Sequence, residues 1–328
     1  MDIKKEAMYW EKHKKGVKCL LCPNYCIIPK NSAGKCRKRI NVNNKLYADN
    51  YGKTITVFLD PMEKKPLYHF YPLEHILSLG ANSCNLSCKF CQNHYSCMQD
   101  CLVSDITPSE LLDQCILNNV KHVAFTYTEP FTWYEYILDS AKLLKEHGIS
   151  VVLVTNGFIN LLPLEEIIPY ISAMNIDLKA YSDEFYRDIC QGKLQPVLDT
   201  IRYAATKTHV EITYLMIESL NDDPEEVTEL FSFIKNVNPE IPLHISKYFP
   251  RYELLLEETN EEHLVQVAKK ASEYLKYVYI GNFFHSEFQN TYCSECRHLL
   301  VDRKMRTINI KNNCCEKCNA KIPVVISS

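Results

Sequence analysis

Glycine is scarce in this chain, with 8 among 328 residues. Glycine serves where φ is positive or where backbone must approach closely, so other residues have to fill such positions here. No charge of one sign dominates: 37 lysines and arginines face 40 aspartates and glutamates, for a formal net charge of -3. That balance gives no reason to expect a nucleic-acid partner. No apolar run reaches membrane-spanning length, and Met1-Asp2-Ile3-Lys4-Lys5-Glu6 carries no signal-peptide hydrophobic region. The expectation is a cytoplasmic protein with no membrane partner. Low-complexity tracts and internal repeats longer than a cysteine knuckle are also missing.

Cysteine, by contrast, is abundant, with 16 residues. In a cytosolic chain this usage points to metal sites or catalysis more than to disulfides. Eleven of the 16 fall in three clusters. The central one, Cys84-x3-Cys88-x2-Cys91, packs three thiols into eight residues, which suits a soft metal centre. Four-cysteine runs hold complete iron–sulfur clusters; three would leave one iron of a [4Fe–4S] cube without a protein ligand. Such an open position separates catalytic from closed structural metal sites. Against this reading stand a zinc knuckle, with Cys97, Cys101 or His94 as fourth ligand, and three unrelated core cysteines. Near the N-terminus, Cys19-x2-Cys22-x3-Cys26-x9-Cys36 forms a quartet whose ligands suit zinc or an auxiliary iron–sulfur cluster equally. Near the C-terminus, Cys293-x2-Cys296 and Cys315-x2-Cys318 read as a zinc ribbon, with a rubredoxin-like iron site competing. Cys314 is an extra thiol able to substitute there.

The rest of the chain alternates. A short charged helix is expected at the start, and residues 60–70, with two prolines and a charge run, read as an irregular, solvated covering segment. Short apolar strands are predicted at 76–80, 122–127, 151–155, 173–178, 210–216, 243–246 and 277–280. Helical stretches separate most of them. Thr107-Pro108-Ser109-Glu110 is a capping box with proline at the first helical position. Residues 131–147 continue amphipathically and stop at Gly148. Further helices open at Asp223-Pro224 and Thr259-Asn260. This alternation implies an α/β fold with a parallel sheet and crossover helices. About six strand–helix units are fewer than a closed barrel needs, so a partial (β/α)6 barrel of TIM-like kind is expected. Three regions follow: a cysteine-rich N-terminal region over 1–72, the barrel over 73–285, and a zinc-ribbon-like knuckle over 286–328.

Several ordered segments carry a resemblance. They are Cys19-x2-Cys22-Pro23-x2-Cys26, Asp60-Pro61-x-Glu63-Lys64-Lys65-Pro66-Leu67-Tyr68-His69-Phe70, and Cys84-x3-Cys88-x-Phe90-Cys91-Gln92-Asn93. Tyr127-Thr128-Glu129-Pro130, Val154-Thr155-Asn156-Gly157, Asp177-Leu178-Lys179, the run from His244 to Pro250, and Asn290-Thr291-Tyr292-Cys293 follow. Together the chain resembles the radical S-adenosylmethionine (SAM) enzymes of the AmmeMemoRadiSam system, relatives of the pyruvate formate-lyase and other glycyl-radical-enzyme activating enzymes. The resemblance implies a [4Fe–4S] cluster on Cys84, Cys88 and Cys91, SAM as co-substrate, and reductive cleavage to a 5′-deoxyadenosyl radical that abstracts hydrogen from an unidentified substrate. It also implies an external one-electron donor of flavodoxin or ferredoxin type and association with AMMECR1-like and Memo-like proteins.

By the same resemblance Glu129 accepts from the SAM ammonium and Lys179 meets its carboxylate. Asp177 bonds ribose or orients Lys179, and Phe90 packs on adenine or shields the cluster. Asn156 is a ligand or a turn residue before Gly157, and His244 a cofactor contact or a satisfied core residue. The alternatives are an activase that installs a glycyl radical on a partner protein, and a non-catalytic zinc or iron–sulfur scaffold. Glycines usual in the family are replaced by Ser83, by Ser219 within Glu218-Ser219, and by Arg297 and Asn319 after the C-terminal knuckles. Of these, asparagine takes the left-handed conformation more readily than arginine.

Overall fold

The computed structural model describes residues 5–327. An eight-stranded sheet forms its centre, built from β1 (Thr56–Pro61), β2 (His75–Gly80), β3 (His122–Phe125), β4 (Ser150–Thr155), β5 (Ala173–Asp177), β6 (His209–Met216), β7 (Leu243–Lys247) and β8 (Val278–Gly281). The strands lie side by side in chain order. β2 to β8 run parallel and β1 pairs antiparallel with β2, Asp60 opposite Ile76. All seven strands read from the sequence are therefore present, and the sheet begins before residue 73.

Strands covered on both faces read as continuous apolar runs, and β3 is buried at every position. Parallel neighbours need crossovers. These are α1 (Pro108–Leu117), α2 (Tyr134–Glu146), α3 (Leu161–Ile167), α4 (Leu194–Ala205), α5 (Pro224–Val237) and α6 (Glu261–Ala271), which complete six strand–helix units. Local chemistry starts the helices as expected. Thr107 and Glu110 exchange both capping-box bonds at α1, and the Asp223 carboxylate accepts from the amides of Glu225 and Glu226 at α5. At α6 the cap is Asn260 rather than Thr259. The Thr259 hydroxyl is engaged inside, donating to the Met216 carbonyl and accepting from Tyr248 N–H.

Two expectations are corrected. The first described residues form strands, Lys5–Glu6, Trp10–His13 and Gly16–Cys19, where a charged helix was expected. Trp10–His13 pairs with Gly16–Cys19 as a hairpin, and a side chain at Gly16 would meet the Ile28 carbonyl at 2.2 Å. Nor is the charge run of residues 60–70 solvated throughout: Lys64 is exposed, but its neighbours are not. Lys65 and Asp60 are 1% and 4% exposed and pair at 2.8 Å, while Lys64 and the Tyr127 hydroxyl also bond Asp60. The segment then runs across one face of the sheet. Glu211 on β6 accepts from the amides of Tyr68 and His69, and His69 bonds Tyr279 of β8 and the Pro323 carbonyl. A lysine is buried here because a carboxylate waits for it, a pairing that composition does not reveal.

Scarce glycine leaves a mark. Ser219, Arg297 and Asn319 take φ of 65°, 58° and 59°, so the backbone is left-handed at the positions where the resemblance leads one to expect glycine. The cost falls on the side chain.

Two outcomes are expected. Lys65→Met should lower unfolding stability by about 2 kcal/mol, the worth of a buried hydrogen bond to a charged group while Lys64 and Tyr127 still hold Asp60, measurable by urea titration. Ser219→Gly should raise stability by about 0.5–1 kcal/mol, the left-handed strain relieved less the backbone entropy of glycine.

Candidate active site and two further cysteine centres

The loop that follows β2 carries Cys84, Cys88 and Cys91. Its backbone rests on the turn Tyr186–Cys190: Ser87 N–H donates to the Cys190 carbonyl and Lys89 N–H to that of Ile189, each at 3.0 Å. A cavity of about 280 Å³ opens above it, lined by the three cysteines, Phe90, Glu129, Asn156, Asp177 and Lys179, with Thr213, Ser246 and Asn282. Every parallel strand, or the loop after it, contributes. Of the residues predicted for the SAM contact, only His244 is absent from this lining.

Glu129 is 1% exposed. Its Oε1 accepts from Phe131 N–H and the Thr155 hydroxyl, and its Oε2 from Asn156 N–H. Its own N–H donates to the Ser83 carbonyl. Burial raises the carboxyl to about 7, against the lowering by those donors. Lys179 lies 3.0 Å from Asp177 and 5.7 Å from the Phe90 ring centroid. Burial alone would lower it, but Asp177 and the nearby Cys88 and Cys190 thiols hold it charged. Asn156 is no idle turn residue. Its side-chain amide donates to Cys84 Sγ at 3.7 Å and to Asn85 Oδ1 at 2.9 Å.

Two cysteines join that sequence reading left outside the motif. The Cys97 thiol lies against those of Cys84 and Cys91, and these contacts, with burial, push its pKa far up. Cys91, receiving that contact, falls to about 7, helped by Asn93 N–H and Lys179 against its burial. Cys190 lies against Cys88 and, with burial, raises it. Cys97 was weighed only as a zinc ligand. Cys190 carries no sequence signal, being an isolated residue 102 positions downstream of Cys88.

His244 is corrected in place. It sits on β7 two residues before the cavity-lining Ser246, on the same face but one layer deeper. Its Nε2 bonds Glu211 at 2.6 Å, and its ring packs on Tyr68 and Tyr279. Strand alternation brings i and i+2 to one face, yet depth along the strand decides which one reaches the cavity.

The terminal quartets differ in geometry. The sulfurs of Cys293, Cys296, Cys315 and Cys318 lie within 4.8 Å of one another, with Cys293–Cys318 at 3.6 Å and Cys296–Cys315 at 3.7 Å. Cys314, beside them in sequence, is outside the group. Cys19, Cys22, Cys26 and Cys36 instead surround a small cavity. Burial pushes the thiols of Cys19, Cys22 and Cys36 up, Cys22 to about 12.

Residues 79–231 match the model of the Radical SAM superfamily. The chain is 36% identical over 336 residues to an uncharacterized protein, MJ0808, of Methanocaldococcus jannaschii, covering 98% of this chain and 100% of that one. It is 28% identical to the pyruvate formate-lyase-activating enzyme of Clostridium pasteurianum, over 50% of this chain and 75% of that one. A radical SAM methyltransferase from Sphaerobacter thermophilus shares the fold, with a TM-score of 0.52 at 15% identity over 70% of this chain and 71% of that one. The chain belongs to the radical SAM superfamily and is an enzyme of that class. The family implies a [4Fe–4S] cluster and SAM. The site's donor set fits them: three thiols from one loop, a buried carboxylate of raised proton affinity and a charged lysine all face one cavity.

Proposed function

We propose that Cys84, Cys88 and Cys91 hold the [4Fe–4S] cluster and that SAM binds against it in the cavity, the enzyme acting by hydrogen abstraction on a substrate still to be identified. One observation carries this reading: the three thiols meet Glu129, Asp177 and Lys179, from three other strand ends, around a single cavity. When bound, cluster and SAM supply a 5′-deoxyadenosyl radical by one-electron cleavage. The chain's own residues bind and orient. Glu129 spends three lone pairs on protein donors and keeps one for an ammonium. Asp177 holds Lys179 in place for a carboxylate. Asn156 donates to the Cys84 sulfur, and Phe90 covers the thiols from the Lys179 side.

The sheet in this reading is the partial (β/α)6 barrel, since residues from the loops after the first and last parallel strands line the same cavity. The C-terminal quartet is a zinc site. A tetrahedral zinc with Zn–S near 2.3 Å sets sulfurs about 3.8 Å apart, close to the 3.6 and 3.7 Å spacings here. A flavodoxin or ferredoxin-like donor supplies the electron, AMMECR1-like and Memo-like proteins are the expected associates, and a cytoplasmic setting suits so many free thiols. A second reading, activation of a partner protein by installing a glycyl radical, is favoured by the likeness to the pyruvate formate-lyase-activating enzyme. The two are separated by where deuterium from labelled candidates appears: in 5′-deoxyadenosine after exposure to a small molecule, or only after exposure to a partner protein.

Anaerobic reconstitution should give visible charge-transfer absorbance, and SAM with dithionite should yield 5′-deoxyadenosine. Cys97→Ala should keep both; loss of the cluster in that variant would make the centre a closed four-cysteine site. The pH dependence has a definite sign. The Glu129 carboxyl is raised from 4.5 to about 7, so its contribution to stability is full below pH 4.5 and is lost as pH rises through about 7. Only the ionised form accepts from an ammonium. SAM affinity, measured calorimetrically on the reconstituted enzyme, should therefore strengthen as pH rises through about 7, and Glu129→Gln should flatten that slope.

A further inference from the structure

The N-terminal quartet is not accounted for by SAM cleavage. Cys19, Cys22, Cys26 and Cys36 face one small cavity whose wall is completed by Arg39, Asn85 and Thr132, among others. The four thiols line it together, and they are not drawn into the mutual 4.8 Å spacing of the C-terminal quartet. One zinc ion gathers its sulfurs to about 3.8 Å. A cube that offers each cysteine its own iron holds them further apart. Protein donors already point at the sulfurs: Lys35 N–H at Cys26 Sγ, 3.4 Å, and the Asn24 amide at Cys22 Sγ, 3.6 Å. Hydrogen bonds to cluster sulfurs of this kind help set the potential of an iron–sulfur centre.

A second observation points to an anionic occupant. Arg39 lines the same cavity at 2% exposure. Its Nη1 pairs with Glu135 at 3.1 Å, yet its Nε–H has no acceptor. A buried cation with a donor left over faces the thiols of Cys19 and Cys36, where a four-thiolate centre would place negative charge. Buried donors are rarely left without partners.

The third observation is the path between centres. The Ser83 hydroxyl donates to the Cys36 carbonyl at 2.8 Å, and Ser83 is bonded through one peptide to Cys84. Independently, Asn24 bonds both Cys22 Sγ and, at 2.7 Å, the carbonyl of Asn85, the residue after Cys84. Two hydrogen-bonded bridges thus join the quartet to the first cysteine of the central motif. One of them depends on serine at a position where the family usually has glycine.

We propose that Cys19, Cys22, Cys26 and Cys36 bind a second [4Fe–4S] cluster, and that it relays electrons to the central cluster through Ser83 and the Asn24–Asn85 bridge. In each transfer the N-terminal cluster goes from the 1+ to the 2+ state while the central one goes from 2+ to 1+. One electron moves, and no bond or proton changes place. A low-potential one-electron donor outside the chain restores the first cluster. The relay rests on the central cluster proposed above, and the test separates the two.

The full chain is reconstituted anaerobically with iron and sulfide, then reduced with dithionite and followed by iron analysis and EPR. The variant Cys84→Ala/Cys88→Ala/Cys91→Ala should retain about four irons and a cubane signal, and Cys22→Ala/Cys26→Ala should retain the other four. Doubly reduced wild-type protein should show spin–spin broadening absent from either variant, a readout that needs no mutation to fold. Freeze-quench EPR should find reduction of the central cluster slowed several-fold by Ser83→Ala, with iron content and line shape unchanged. Zinc in place of iron in the triple variant overturns the proposal, as does wild-type reduction kinetics in Cys22→Ala/Cys26→Ala. If the central reading fails instead, Cys22→Ala/Cys26→Ala will hold no iron while the triple variant keeps the whole wild-type spectrum.

Discussion

A buried carboxylate holds the site together. Glu129 receives hydrogen bonds from its own loop at Phe131 and from Thr155 and Asn156 at the end of β4, and its amide grips Ser83 just before the first motif cysteine. Three loops that sequence separates by up to 73 positions are thereby fixed to one group. Each donor is itself buried, so none can turn to water if the carboxylate is removed. The balance between burial, which favours the neutral acid, and these donors, which favour the anion, makes the same residue both a brace and a group poised to respond to a cation in the cavity.

A second carboxylate does comparable work on the floor. Glu211 gathers His209, His244 and the amides of Tyr68 and His69, seating the segment after β1 across one face of the sheet. The C-terminal unit leans on that segment in turn: Tyr71 donates to the Val325 carbonyl, and Arg303 bonds the Tyr68 carbonyl while its guanidinium stacks over the Tyr68 ring. The C-terminal cysteine-rich unit is thus packed on that segment, while the N-terminal quartet abuts the motif loop through the Asn24–Asn85 and Ser83–Cys36 hydrogen bonds.

The four residues that stand where the resemblance leads one to expect glycine fall into two kinds. Ser219, Arg297 and Asn319 keep the left-handed backbone, so the turn was retained and the strain accepted. Ser83 is outside that class. It is fully buried, and its hydroxyl has acquired a partner, the Cys36 carbonyl. A list of departures cannot tell these cases apart, because the difference lies in what surrounds the added atoms.

The residues alone determined the alternation of strands and helices, the helix starts at Thr107 and Asp223, and the three cysteine groups, because these depend on neighbours close in sequence: periodicity, capping and ligand spacing. Glu129, Asp177 and Lys179 were legible through short motifs. Tertiary structure decided the rest. It buried Lys65 against Asp60, sank His244 one layer beneath the cavity, brought Cys97 and Cys190 to the motif, and set the N-terminal thiols around a cavity beside Cys84. Each of these turns on which distant side chain arrives at a given depth, and charge pairing or burial between remote residues leaves no periodic trace in a linear chain.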